Sequence, residues 1–168
     1  MKNEFTLTIY SEDQIRLINK LSSMFIRKQV AILSLNMSIC EIDQMYRHTI
    51  VVNETLDTVI NLAAQIEKII EVFKCSYSSK DEIFYRQTAL FKISTAVFMS
   101  DPRMESILRE KDLTVSEIQK EYTVLQATGT DEEIISLTEK LKQLKLVEFI
   151  KSSRIALTKS EEGFCAEF

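Results

Sequence analysis

Two patterns of apolar and polar positions alternate along the chain. In residues 5–10 every second residue is apolar, which is the period of a half-buried β-strand. Between about Asp13 and Lys28 the apolar residues recur every three or four positions, which predicts an amphipathic helix. Ser11 and Gln14 fit a capping box at its start. The later signals predict strands at 33–40, 47–53 and 71–77 and a helix with an apolar stripe over 59–70.

A similar succession of elements follows a polar stretch, residues 78–82, that suits a linker. Here the patterns predict strands at 88–94, 114–119, 122–128 and 147–157, a helix starting at Asp101-Pro102, and a helix over 130–144 capped by Thr130 with Glu133. The sequence therefore predicts an α+β protein with two tandem ferredoxin-like βαββαβ domains. We expect the first domain over residues 1–78, a linker over 79–86 and the second domain over 87–168.

Composition and charge exclude several classes of function. Hydrophobic residues make up 45% of the 168 residues and charged residues 27%, as in packed soluble domains, and no apolar run is long enough to span a membrane. The net charge of −4 offers no electrostatic footprint for nucleic acid or an anionic membrane. The predicted third strand, 47–53, also lacks the aromatic residues that RNA-binding sheets expose. We expect a cytoplasmic protein without nucleic-acid or membrane partners.

Few residues are suited to catalysis. Cys40, Cys75 and Cys165 form no CxxC pair, and the first two are expected to be small core residues. The only histidine, His48, is expected at the surface or half-buried, and it rules out a multi-histidine metal site. Two glycines and one proline leave no room for a phosphate-binding loop. The sequence indicates a binding or regulatory module with no catalytic residues and no metal or cofactor of its own.

Several segments, taken in order, carry a resemblance that spans nearly the whole chain. They include LTIYSEDQ (7–14), MFIRKQVAILSLNM (24–37), QIEKIIEVFK (65–74), RQTALFKI (86–93), YTVLQATG (122–129) and IKSSRIAL (150–157). Together they resemble the small regulatory subunit of acetolactate synthase (acetohydroxyacid synthase), a family that opens with an ACT domain. No single segment is decisive, but the ordered set is specific.

The resemblance implies a non-catalytic subunit that docks on a thiamine-diphosphate-dependent catalytic large subunit and raises its activity in branched-chain amino-acid (valine, leucine, isoleucine) biosynthesis. Thiamine diphosphate, magnesium and FAD would then belong to that partner. The resemblance also implies a homodimer through the N-terminal domain, and we expect the open edge to be the strand over residues 5–9. Two alternatives stay open: a free-standing ACT-type sensor of small metabolites derived from this family, and a small enzyme in its own right.

The same resemblance implies a valine feedback site between chains, formed by the first loop and the start of the second strand. Its residues here are Asp13, Gln14, Ile15, Arg16, Ala31 and Ile32. The family pattern has Asn, Gly and Asn where this chain has Asp13, Arg16 and Ala31. Because an effector carboxylate would bind backbone N–H groups at the helix start, an added carboxylate, a long side chain and a lost amide all disturb it. We expect an altered valine site; alternatively, Arg16 points outward and pairs with Asp13 or Glu12.

Overall fold

The computed structural model describes residues 1–12, 14–40, 45–110 and 113–160, with only the backbone at Gln14 and Glu110. The described chain divides into two units, one formed by Met1–Phe84 with residues 155–160, the other by Tyr85–Arg154. Each unit has its own hydrophobic core. Among the helices of the described ranges, none has the length and apolar character needed to cross a membrane.

The elements of the first unit are β1 (Asn3–Ser11), α1 (Gln14–Lys28), β2 (Ile32–Ile39), β3 (Tyr46–Glu54), α2 (Leu56–Ile66) and β4 (Val72–Ser79). Its four strands form an antiparallel sheet in the order β2-β3-β1-β4, with the two helices packed on one face. Leu7 of the central strand β1 lies opposite Ile50 in β3 and Tyr77 in β4. Leu7, Leu17 of α1 and Leu62 of α2 are fully buried, and burying a side chain of this size stabilises the fold by about 1.5–3 kcal/mol.

The second unit repeats this arrangement after a short 3-10 helix, Lys80–Glu82, that follows β4. Its elements are β5 (Ile83–Ser94), α3 (Thr95–Ser100), α4 (Arg103–Glu110), β6 (Thr114–Ile118), β7 (Tyr122–Gly129), α5 (Asp131–Lys142) and β8 (Glu148–Lys151). The strands are ordered β6-β7-β5-β8, and Phe91, Leu125 and Ile134 lie at the centre of the core. The last strand, β9 (Ile155–Thr158), pairs with β5 outside this order, and the division given above assigns it to the first unit, as it does Ile83 and Phe84 at the start of β5.

The start of α5 confirms the predicted capping box. The Thr130 N–H donates to Glu133 Oε2 at 2.8 Å, and the Thr130 hydroxyl accepts from the Glu133 N–H at 3.4 Å. Gly129 precedes this cap, and a Cβ there would lie 2.8 Å from Glu133 Oε2. A side chain at position 129 would therefore displace the Glu133 carboxylate from this place in the cap.

The predicted fold, two βαββαβ units, is confirmed, but three local predictions are wrong. The strand predicted from residue 88 begins at Ile83, as β5, and α3 was not predicted because a six-residue helix is too short to show a period. The single final strand is in fact two strands, because the buried Arg154 side chain turns to Asp131 between them. Ser11, the predicted start of the capping box of α1, is the last residue of β1, and the side chain of its predicted partner Gln14 lies outside the described part of the chain.

The open edge was also assigned to the wrong strand. Strand β1, which holds residues 5–9, pairs on both sides, with β3 and with β4. The reason is topological: two successive crossovers in a βαββαβ unit place the first and third strands at the centre of the sheet. The edges of this sheet are β2 and β4.

Candidate functional site

The predicted effector residues lie at the two ends of α1. Ile15 and Arg16 are in the first turn and are exposed, whereas Ala31 and Ile32 follow the last turn and are also exposed. Since an α-helix rises about 1.5 Å per residue, the 15 residues of α1 separate its ends by about 21 Å. One chain therefore does not bring the two groups together. Asp13 lies outside the described residues, and Gln14 is described only by its backbone.

The loop before α1 is fastened to the start of β4. The Glu12 N–H donates to the Glu71 carbonyl at 3.0 Å, and Lys20 Nζ lies 2.6 Å from both carboxylate oxygens of Glu71. The hydrogen bond from Lys20 is the main reason why the pKa of Glu71 is lowered, and the charge of Arg16 adds to the effect. The loop backbone before α1 is thus held by a hydrogen bond next to the ion pair of Lys20 with Glu71.

The other end of α1 borders an aliphatic groove of about 450 Å³. Helix α1 stops in a Schellman motif: Gln29 adopts a φ of 55°, its N–H donates to Ile26, and the Val30 N–H donates to Phe25. This turn directs the chain from the helix into β2, and apolar side chains on both sides of the turn line the groove. The groove is lined by Ser22, Phe25, Ile26, Gln29, Val30, Ala31 and Ile32. Ala31 and Ile32, the two predicted effector residues next to β2, are therefore part of a concave, mainly apolar surface whose lining residues carry no charge.

A buried polar pair lies at the end of β1. Ser11 Oγ and His48 Nε2 are 2.8 Å apart, and both residues are fully buried. His48 Nδ1 has no hydrogen-bond partner in the part of the chain that the structure describes, and burial lowers the pKa of the ring. The expectation of a surface or half-buried His48 is wrong. The alternation of β3 contained the signal, since His48, Ile50 and Val52 share one face and the last two are core residues.

The second unit contains a polar cluster that sequence reasoning missed. Asp131, the first residue of α5, accepts from Gln87 Nε2, Lys151 Nζ and Arg154 Nη2, each at 2.7 Å. The Arg154 guanidinium is buried and stacks over the Tyr85 ring at 4.2 Å. Burial disfavours the charged form of Asp131, but the hydrogen bonds from Lys151 and Gln87 outweigh it, and the pKa is lowered. These four bonded residues join β5, α5 and the end of β8.

The cysteines offer little reactivity. Cys40 and Cys75 are buried and unpaired as disulfides, in agreement with the expected core role, and Cys165 lies outside the described residues. Burial, together with the charge of Glu67, raises the pKa of the Cys75 thiol to about 12. Within the described ranges, no group of three or more His, Cys, Asp or Glu side chains is placed to hold a metal ion.

The fold and the candidate site together define a class of protein. The chain consists of two tandem ferredoxin-like α+β units, the first with the topology of an ACT domain, and its candidate site is a groove and a helix start rather than a set of catalytic side chains.

Comparison with known proteins shows which family this chain is similar to. Residues 86–160 match the family model described as the small subunit of acetolactate synthase. The acetolactate synthase small subunit of Mycolicibacterium smegmatis is 27% identical over 96% of this chain and 94% of its own length, and that of Bacillus subtilis is 25% identical over 96% and 93%. A chloroplastic small subunit of Arabidopsis thaliana is 26% identical over 97% of this chain but only 34% of its own length.

A solved structure shares the fold of this chain. The crystal structure of an acetolactate synthase small subunit from Thermotoga maritima superposes with a TM-score of 0.83, at 17% identity, over 95% of this chain and 99% of that chain. At this identity the match shows the shared fold. The resemblance found in the sequence is confirmed: the chain is similar to acetolactate synthase small subunits over nearly its whole length.

Proposed function

We propose that this chain is a non-catalytic regulatory subunit of acetolactate synthase in branched-chain amino-acid biosynthesis. It docks on the catalytic large subunit, which holds thiamine diphosphate, magnesium and FAD, and raises that subunit's activity. The observation that carries the proposal is the similarity, over 96% of this chain, to proteins named acetolactate synthase small subunit. In this proposal residues 1–78 are the ACT domain, 79–86 a linker and 87–168 the C-terminal domain.

The chemistry of the described side chains favours regulation over catalysis. The one serine–histidine pair, Ser11 with His48, is fully buried and has no access to a substrate. The Cys75 thiol stays protonated near neutral pH because burial raises its pKa to about 12. A separate enzymatic activity would need a nucleophile or a general base at a surface that a substrate can reach.

A homodimer through the β2 edge follows from the apolar residues that this strand exposes. Leu33, Leu35 and Ile39 are 58%, 41% and 74% exposed on a strand whose outer backbone groups are unpaired in this sheet. A long apolar edge of this kind invites strand pairing with another chain. The β2 edge replaces the β1 edge in our proposal. Light scattering at micromolar concentration tests it, and a monomer would contradict it.

The proposed dimer could also complete the effector site, whose two parts lie far apart in one chain. The aliphatic groove near Ala31 and Ile32 suits a branched side chain, whereas the start of α1 near Arg16 suits a carboxylate. These two regions are about 21 Å apart along α1. A site that uses both requires the helix start of one protomer and the groove of its partner. We propose a branched-chain amino acid as the effector of this shared site.

Valine should bind at least tenfold more weakly than in a family member with Asn, Gly and Asn at positions 13, 16 and 31. Losing one hydrogen bond to a charged ligand group costs about 1.5–3 kcal/mol, and about 1.4 kcal/mol is a factor of ten in affinity. The exposed methyl group of Ala31 offers no such bond. Titration calorimetry with valine, leucine and isoleucine measures the effect. Micromolar valine binding would contradict it, and restored binding in the double variant Arg16→Gly, Ala31→Asn would support it.

Co-purification separates the proposal from a free-standing sensor. The tagged chain is expressed with the acetolactate synthase catalytic subunit of the same organism, and the captured material is identified by mass spectrometry. We expect a stable complex of the two chains. A chain that binds a branched-chain amino acid but never captures the catalytic subunit would instead be a free-standing ACT-type sensor.

A further inference from the structure

Helix α1 has the opposite charge to the protein that contains it. The whole chain has 25 acidic and 21 basic residues, a net charge of −4. Within α1 there are four basic residues, Arg16, Lys20, Arg27 and Lys28, and no acidic one. Such a concentration of one sign on one helix creates a local positive potential on an acidic protein.

Three of these cations lie on one face. Arg16, Lys20 and Arg27 are spaced by four and seven residues, so they form a stripe about 16 Å long, whereas Lys28 points about 100° away from Arg27. Beside the stripe lies a groove of about 430 Å³, separate from the aliphatic groove described above. We call it the α1 groove; it is lined by Asn19, Lys20, Ser23, Met24, Arg27 and Ile69.

The α1 groove combines a cationic rim with an apolar floor. Met24 and Ile69 belong to the hydrophobic core of the unit and present their remaining surface here. Glu71 is bonded to Lys20 and neutralises it. Arg27, in contrast, makes no hydrogen bond or ion pair with any residue in the described ranges, so its five donors are available to a ligand. Arg16 adds a further positive charge at the other end of the stripe.

We propose that the α1 groove docks an acidic segment of the catalytic large subunit, with a carboxylate at Arg27 and an apolar side chain on the floor beside it. The inference rests on the function proposed above, because that function supplies the partner. The argument is charge complementarity. On a chain of net charge −4, the free guanidinium of Arg27 beside an apolar floor attracts an acidic segment and orients the encounter. A carboxylate and a neighbouring apolar group then both find a matching surface.

Two adjacent charge reversals give a matched test. Arg27→Glu reverses a charge on the rim of the groove, and Lys28→Glu reverses one in the same last turn of α1 but off the stripe, with the same change in net charge and in helix-dipole interaction. Binding to the immobilised catalytic subunit is measured at low and high salt. We expect Arg27→Glu to weaken binding on the order of tenfold at low salt and to flatten the salt dependence. Lys28→Glu should bind like the parent chain, and Arg27→Lys should retain most of the affinity.

A second probe keeps the groove testable without the large subunit. A fluorescein-labelled oligoglutamate peptide with a central leucine should bind the parent chain and Lys28→Glu, but not Arg27→Glu. If the parent chain fails to bind the catalytic subunit, the proposed function fails, while selective peptide binding through Arg27 still supports an acidic ligand for the groove. Equal effects of the two reversals with both probes would overturn the inference. A change in oligomeric mass in Arg27→Glu alone would also overturn it, because the groove would then contact a second copy of this chain.

Discussion

Replacing Asp131 by alanine should destabilise the second unit more than any exposed ion pair in it could. Asp131 Oδ2 accepts a 2.7 Å hydrogen bond from Arg154 Nη2, and the Arg154 side chain is 4% exposed. Removing one partner of a buried ion pair costs about 3–5 kcal/mol because the remaining charge stays buried and loses the attraction of that partner. Since Asp131 itself is 23% exposed, we expect the lower end, about 3 kcal/mol.

The contribution of Lys151 serves as the control. Its ammonium group bonds the same carboxylate at 2.7 Å, but its side chain is 42% exposed, and exposed pairs contribute about 0–1 kcal/mol. Lys151→Met should therefore cost less than about 1 kcal/mol. Asp131→Asn keeps the size and one accepting oxygen and should fall between the two. For a unit of this size each kcal/mol corresponds to about 4–8 °C, so Asp131→Ala should lower the unfolding midpoint by roughly 12–24 °C.

The pH dependence gives an independent check with a defined sign. The pKa of Asp131 is lowered by folding, so its stabilisation is complete above its unfolded value and is lost as the pH falls through the folded one. The difference between the parent chain and Asp131→Asn should thus be constant near neutrality and shrink below about pH 4. Urea unfolding followed by circular dichroism measures both effects. If Asp131→Ala costs no more than Lys151→Met, the cluster does not stabilise the unit as argued.

Three further predictions concern single positions. Thr130→Ala should destabilise the second unit by about 1 kcal/mol in urea unfolding, because it removes the hydroxyl that accepts from Glu133; a neutral effect would mean that water replaces the cap. Leu35→Lys places a charge on the exposed β2 edge and should convert the proposed dimer to a folded monomer in light scattering, whereas an unchanged dimer would exclude this edge. Cys75 should resist thiol reagents in the folded chain at neutral pH because burial raises its pKa to about 12, and rapid labelling that does not require unfolding would contradict its burial.

The order of elements could be predicted because it depends on local patterns. The apolar period of residues 5–10 marks the face of β1 that enters the hydrophobic core, and the period of α1 marks its buried stripe. The cap of Thr130 with Glu133 is complete within four residues. Features that depend on distant partners were not predictable in this way. Arg154 interrupts the last strand because its partner, Asp131, is 23 residues earlier, and no local pattern records that contact.

The candidate site shows the same division. The family resemblance implies an effector site that includes Ile15, Arg16, Ala31 and Ile32. The structure places the first two and the last two at opposite ends of α1. The length of the predicted helix alone would have shown this separation. The burial of His48 could have been predicted from the sequence, because alternate residues of β3 share one face of the strand. The α1 groove could not be predicted from the sequence, because Ile69 comes next to the helix only through the packing of the unit.

Acetolactate formation by the purified catalytic subunit, measured with increasing amounts of this chain, tests the proposed regulatory function most directly. A regulatory subunit should raise the rate in a saturable manner that reflects complex formation, and this chain alone should form no acetolactate. A rate that stays unchanged at a concentration well above that of the catalytic subunit, or acetolactate formed by this chain alone, would contradict the proposed function.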